Sequence, residues 1–194
     1  MDELTQRFTI EGIGKSNAKF DRAKLLAFNT RHGESTPPAQ LVPAFRAYLE
    51  VNPDSPLNAA DDAQLAKLLE LKKGFRLLRE VDEASRFLFV ADEAIAYAPD
   101  AVEKVLKKGD GQGMTVLRDL LAALTATPAW TTPGIESAVN AYCEQKQLGL
   151  GKVAQPLRVA VTGSTISPPI FQSLELLGRT RTLARIERCL SEAT

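Results

Sequence analysis

Apolar residues recur at intervals of three and four along most of the chain, the spacing that lines one face of a helix. Phe20, Leu25, Leu26 and Phe28 accompany Asp21, a good N-cap, and predict a helix over 22–31 with Gly33 as its stop. Thr36-Pro37-Pro38 signals a second start, carried by Leu41, Phe45, Tyr48 and Leu49, with Pro43 expected to kink or split that helix. Asn52-Pro53-Asp54-Ser55-Pro56 reads as a turn. The longest stripe runs Leu65, Leu68, Leu69, Phe75, Leu78, Val81, with one gap of six, and Asn58 or Asp61 can cap it. Read as one helix, it holds Gly74 in its interior, where glycine costs about 1 kcal/mol relative to alanine. Phe87-Leu88-Phe89-Val90 closes this half as an apolar patch that demands burial.

The second half opens at Pro99, with a helix expected to stop at Lys107-Lys108-Gly109. The stretch 110–113 links it to an aliphatic helix around Val116, Leu117, Leu120, Leu121 and Leu124. Thr132-Pro133 caps another helix through Ile135, Val139 and Tyr142, ending by Gly149 and Gly151. Residues 157–163 are rich in β-branched side chains and resemble a strand. No partner strand is visible, and a lone strand leaves its backbone hydrogen bonds unmade, so helix is the better reading. Ser167-Pro168-Pro169 opens a helix over 170–177, Gly178 closes it, and 181–190 form the last. The expected fold is all-α, with no fixed-period repeat and a junction near 96–99 between two helical subdomains.

Composition narrows the chemistry. The 194 residues are 44% hydrophobic and 25% charged, which excludes disorder and disulfide-rich mini-scaffolds. No run approaches the roughly 20 apolar residues of a membrane span. Two cysteines, Cys143 and Cys189, make no disulfide framework and suit a reducing cytosol, so a cytoplasmic location is expected. A monomer that binds no membrane is expected as well. His32 is the only histidine, which removes multi-histidine metal sites and leaves a Ser-His-Asp triad with no Gly-x-Ser-x-Gly support. It reads best as a solvated residue near a helix C-terminus. Carboxylate pairs such as Asp61-Asp62 and Asp82-Glu83 have no histidine or glycine-rich loop beside them.

Twenty-four basic and 24 acidic residues cancel, so no global field draws the chain to DNA or RNA. The distribution is uneven. Arg158, Arg179, Arg181, Arg185 and Arg188 face only Glu175 and Glu187 over their span, and Lys67, Lys72, Lys73, Arg76 and Arg79 face only Glu70. Either cluster is compatible with a solvated helix face or with phosphate contacts.

Two segments carry a specific resemblance. Val153-Ala154-Gln155-Pro156-Leu157-Arg158-Val159-Ala160-Val161-Thr162-Gly163, then Ser167-Pro168-Pro169-Ile170-Phe171 and Leu176-Leu177-Gly178, closely resemble the C-terminal end of bacterial glutamyl-tRNA synthetases. Phe8-Thr9-Ile10-Glu11-Gly12 through Ala18-Lys19-Phe20-Asp21, Lys24-Leu25 and Asn29 resemble that family's segment just after its catalytic core. Both occur in family order at family-like separation, so the resemblance covers essentially the whole chain. It implies an all-α anticodon-binding cage of two subdomains, 37–96 and 97–194, preceded by a tRNA stem-contact segment, 1–36.

The implied partner is tRNA(Glu), with no DNA. The family's catalytic motifs, which bind ATP and magnesium, have no counterpart here. Lys15-Ser16-Asn17-Ala18-Lys19 echoes one of them only faintly and out of place, so no cofactor is expected in this chain and it should not charge tRNA by itself. A chain opening mid-resemblance at Met1 fits a truncated or catalytically silent fragment.

The resemblance also implies residues. Family members use the positions matching Arg158, Ser167, Pro168 and Ile170 at the anticodon. The chemistry agrees, since an unpaired triplet needs a stiff backbone corner and a guanidinium. Lys72, Lys73, Arg76, Arg79, Arg179 and Arg181 flank these sites as candidate phosphate contacts. Gly74 departs from the pattern: members that separate glutamate from glutamine tRNA carry arginine there, immediately before the position of Phe75. Its absence points to weak discrimination and tRNA(Gln) as a second partner, unless Lys72, Lys73 or Arg76 substitutes or the match is shifted by one. Trp130, Phe87 and Phe89 read as core rather than as base-stacking platforms. The competing reading of the whole chain is a helical protein-interaction domain that kept the fold without RNA contact.

Overall fold

The structure, a computed structural model, describes residues 2–10 and 19–192. Residues 11–18, which hold part of the stem-contact match and most of the Lys15–Lys19 echo, lie outside that set. Among the described residues every regular element is helical: α1 (Asp2–Arg7), α2 (Arg22–Ser35), α3 (Pro38–Glu50), α4 (Asp62–Leu71), α5 (Leu78–Ser85), α6 (Pro99–Ala101), α7 (Lys108–Thr125), α8 (Thr132–Lys146), α9 (Leu150–Thr162), α10 (Ile170–Leu177) and α11 (Arg179–Glu192). None is long and apolar enough to cross a membrane.

In the first half, α3 packs on α4, and α4 on α5. Phe45, Leu49, Leu57, Leu65 and Val81 are almost fully buried there. Asp61 caps α4 by accepting from the Gln64 amide at 2.8 Å, while the Gln64 side chain accepts from the Asp61 amide at 2.9 Å. This reciprocal box satisfies two of the donors that a helix start leaves open. Asp82 is buried beneath α3 and takes hydrogen bonds from Ser55 Oγ (2.7 Å), Tyr48 Oη (3.0 Å) and Arg86 Nε (3.2 Å), so its charge is structural. Pro43 stands inside α3 without splitting it.

Three expectations are corrected here. The 65–81 stripe is two helices, and its gap of six spans the turn between them. Gly74 sits in that turn at φ +80°, a left-handed backbone that glycine adopts without strain, so it breaks no helix rule. Gly33 does not stop α2, which runs on to Ser35. A Cβ at Gly33 would lie 3.1 Å from Cζ of Phe75, so this glycine lets the helix approach that ring. Finally, α8 is capped by Thr131, one residue earlier than expected, and ends at Lys146 with Gln147 left-handed.

The second half is built around α9, which touches α7, α8 and α11. Its strand-like appearance comes from Val153, Leu157, Val159, Ala160 and Val161, all buried, with only a narrow half-buried edge of Gln155, Arg158 and Thr162 to mark the helical period. Trp130 is built in, its Nε1 donating to the Leu174 carbonyl at 2.9 Å. A π-helical stretch (Val102–Lys107) joins α6 to α7, and left-handed residues 109–111 kink the start of α7.

The halves meet where α9 ends. Gly163 has φ +75°, its carbonyl accepts from the Ala98 amide at 2.9 Å, and a Cβ there would collide with the Ala96 carbonyl oxygen. Gly151, inside α9, faces open space. Gly163→Ala is therefore expected to lower stability by about 2 kcal/mol or more, whereas Gly151→Ala should raise it by about 0.5–1 kcal/mol. Thermal melts of the pair check this; equal effects would show that the close approach at 163 carries no weight.

Candidate nucleic-acid interface

Two corners, far apart in sequence, form the site. The first follows α9. Gly163 turns the chain, Ser164 N donates to Thr162 Oγ1 (3.2 Å), and Ile166 N donates to Ser164 Oγ (3.2 Å). Arg158, one turn back on α9, donates from Nε to Ser167 Oγ at 2.9 Å, and Ser167 Oγ donates to the Pro168 carbonyl at 2.7 Å. The guanidinium is thus held in place by the corner itself. Arg158 is half-buried, and burial pulls its pKa below the ordinary arginine value. Among the described residues no carboxylate lies within ion-pair distance of it.

The second corner is the turn between α4 and α5. Lys72 ends α4, Gly74 reverses the chain, and buried Phe75 anchors it. Arg76 is fixed by Glu80, which accepts from both its backbone amide and its Nε at 3.1 Å. Asn29 on α2 donates to the Arg76 carbonyl at 3.2 Å.

Both corners open onto one groove of about 630 Å³. Lys72 and Arg76 line one wall, Thr162, Ser164 and Ile166 the other, with Phe87 and Ile95 among the residues between. Glu80 and Glu83 share it, so its charge is mixed.

The residues expected from the sequence divide unevenly. Arg158 and Ser167 are half-buried and joined. Pro168 and Ile170 are buried, so they support the corner from beneath, while Ile166, 75% exposed, forms the accessible apolar lip. Gly74 is exposed in the opposite turn without lining the groove. Lys72 and Lys73 have no ion pair among the described residues, and Arg79 pairs with Glu83 at 3.6 Å.

Arg179 and Arg181 are engaged inside the protein. Arg179 donates to the carbonyls of Thr125 (3.1 Å) and Thr127 at the end of α7, and its guanidinium lies 5.6 Å from the centre of the Trp130 ring. Arg181 donates to Asp92 Oδ1 (3.0 Å) and to the carbonyls of Leu88 and Val90. Arg185, fully buried, donates to the same Asp92 oxygen at 2.7 Å. What looked like a basic face is largely a clasp that closes α11 over 88–95. Sequence reading missed Ile166 and Asp92. The first carried one signal, an isoleucine in a polar corner between a glycine and a proline; the second carried none.

Residues 40–190 match a family described as the anticodon binding domain. A glutamate–tRNA ligase of Erythrobacter litoralis is 38% identical over 187 residues, covering 96% of this chain and 36% of that protein. One from Afipia carboxidovorans is 37% identical over 191 residues, with 95% and 39% covered. The chain therefore spans under two-fifths of the length of these two relatives. The crystal structure of a glutamate tRNA ligase from Elizabethkingia meningosepticum superposes with a TM-score of 0.81 at 22% identity, covering all of this chain and 37% of that one. At that identity it is the likeness of fold that is established.

Proposed function

The chain belongs to the anticodon binding domain family, and we propose that it holds the unpaired anticodon loop of a tRNA in the groove between its two corners. One observation carries this reading: Arg158, a half-buried cation with no acidic partner among the described residues, is oriented by Ser167 in a corner that lends Thr162, Ser164 and Ile166 to the groove, which Lys72 and Arg76 also line; Arg158 and Ser167 themselves stand behind that lining. Desolvating a charge without compensation is unfavourable, and such groups persist where a ligand supplies the counter-charge. A splayed base offers an edge to the guanidinium, and its phosphates offer charge.

The partner we propose is tRNA(Glu), because the relatives are glutamate–tRNA ligases. The ligation itself, with its ATP and magnesium, belongs in this reading to the part of those proteins that the chain does not cover. A cytoplasmic monomer, with 37–96 and 97–194 as the two walls of the cage and 1–36 toward the tRNA stem, completes the proposal. The second partner is tRNA(Gln). No side chain projects at 74, and a residue other than glycine would be strained there, so contact with the last anticodon base is reduced.

Fluorescence titration with anticodon stem–loop RNA tests this. Affinity should fall steeply with added salt, by a slope near the number of phosphates neutralised. Changing only the last anticodon base from cytosine to guanine should alter affinity by less than about threefold, below what one bidentate base contact supplies. Salt-independent binding, or none, would leave the groove to a protein partner; strong preference for cytosine would remove tRNA(Gln).

A further inference from the structure

On the other side of the Arg76 turn lies a second cleft, of about 600 Å³, that the anticodon groove does not use. Its apolar wall comes from Leu41, Tyr48, Phe75 and Leu78. The Tyr48 ring is fixed, because its hydroxyl donates to buried Asp82 at 3.0 Å. Arg22, His32, Arg76 and Arg79 stand around it, and among the described residues no carboxylate lines it. Glu80 and Glu83, which pair with Arg76 and Arg79, line the neighbouring groove instead. Arg22 has no ion-pair partner among the described residues. Asn29 also borders the cleft; its amide gives one hydrogen to the Arg76 carbonyl, leaving one donor and one acceptor for a ligand.

An apolar slot with fixed rings, a cationic rim and one free amide has the chemistry of a site for a planar, hydrogen-bonding, anionic group. Arg76 lines both the cleft and the groove, so a strand lying in one is led over this residue into the other. We propose that the cleft is a second RNA subsite, taking one unstacked nucleotide outside the anticodon triplet, with its base against the apolar wall and its phosphate at Arg22 and Arg79. This rests on the reading of the chain as a tRNA binder and extends its footprint onto α2 and α3.

Ala44 lies on the exposed side of α3 and lines the cleft, whereas Ala47 on the same helix does not. Glutamate suits a helix at either position, so both variants should keep the fold, as thermal melts will confirm. With anticodon stem–loop RNA, Ala44→Glu should bind about tenfold more weakly, the loss of one stacked and charge-paired nucleotide. Ala47→Glu should bind within twofold of the unmodified chain. The preference among anticodon triplets should be the same in all three proteins, because the nucleotide concerned lies outside the triplet. Arg22→Ala should lower the salt slope by about one. If Ala44→Glu binds normally, or if both glutamates weaken binding equally, the cleft is not a subsite while the groove reading stands. If the unmodified chain binds no stem–loop, the groove reading falls and the cleft with it.

Discussion

An Asp92→Ala variant is expected to melt roughly 6–20 °C below the unmodified chain, the largest stability effect of any single exposed or half-exposed carboxylate here. The reason is the company it keeps. Arg185 is fully buried, and among the described residues Asp92 is the only carboxylate bonded to it; its other acceptors are the carbonyls of Val161 (2.8 Å) and Val90 (3.2 Å). Removing the carboxylate leaves a buried cation with neutral partners, a change that typically costs about 3–5 kcal/mol. Arg181 loses its charged partner at the same time, while the bonds from α11 to the carbonyls of Leu88, Val90, Asp92 and Ile95 remain. The pH dependence has a definite sign. Burial alone would raise the Asp92 pKa, but hydrogen bonds from Arg181 and Arg185 outweigh it and hold the carboxyl below its ordinary value. Its contribution is therefore complete at neutral pH and is lost on acidification, from about pH 4 downward as the folded carboxyl takes up its proton. Asp92→Asn should remove that acid-sensitive component while keeping one acceptor, and so should melt between the other two proteins. A midpoint for Asp92→Ala within 2 °C of the parent would show that the clasp does not hold α11.

The same clasp shows what the sequence could and could not reveal. Periodicity located the helices because each amphipathic one repeats its apolar face along the chain. It failed at Gly74 because two short helices can share a register across a turn, so the stripe survives while the backbone does not. It was ambiguous over 157–163 because only Arg158 and Thr162 interrupt the apolar side chains there, too few polar positions in a short window to set a period. Gly33 misled for a third reason: the glycine serves contact with Phe75, which no local pattern encodes. The charge clusters were visible, but whether an arginine faces water or a carbonyl is decided by residues far along the chain, 52–55 positions away for Arg179 and 91–93 for Arg181. Arg158 was legible through resemblance alone, and its lack of a counter-ion only through the structure. The buried state of Pro168 and Ile170 was hidden because apolar residues at a helix start read alike whether they face a ligand or the core.

Arg158 is where fold and function separate most cleanly. Arg158→Ala is expected to weaken binding to the anticodon stem–loop by about 5- to 150-fold, the equivalent of one bidentate contact worth about 1–3 kcal/mol. Its stability should change by less than about 1 kcal/mol, since the bond lost from Ser167 is offset by relief from holding a half-buried cation without a counter-charge. Arg158→Gln sharpens the test. Glutamine can still donate to Ser167 Oγ and keep the corner in shape, so only the charge and the guanidinium fork are removed. If the charge carries recognition, Gln should bind almost as poorly as Ala, with a salt slope lower by about one. Should Gln restore binding, Arg158 serves to shape the 164–168 corner, and backbone groups of that corner make the contact instead. A large fall in melting temperature for both variants, with affinity preserved below it, would move Arg158 out of the interface altogether and into the support of α9.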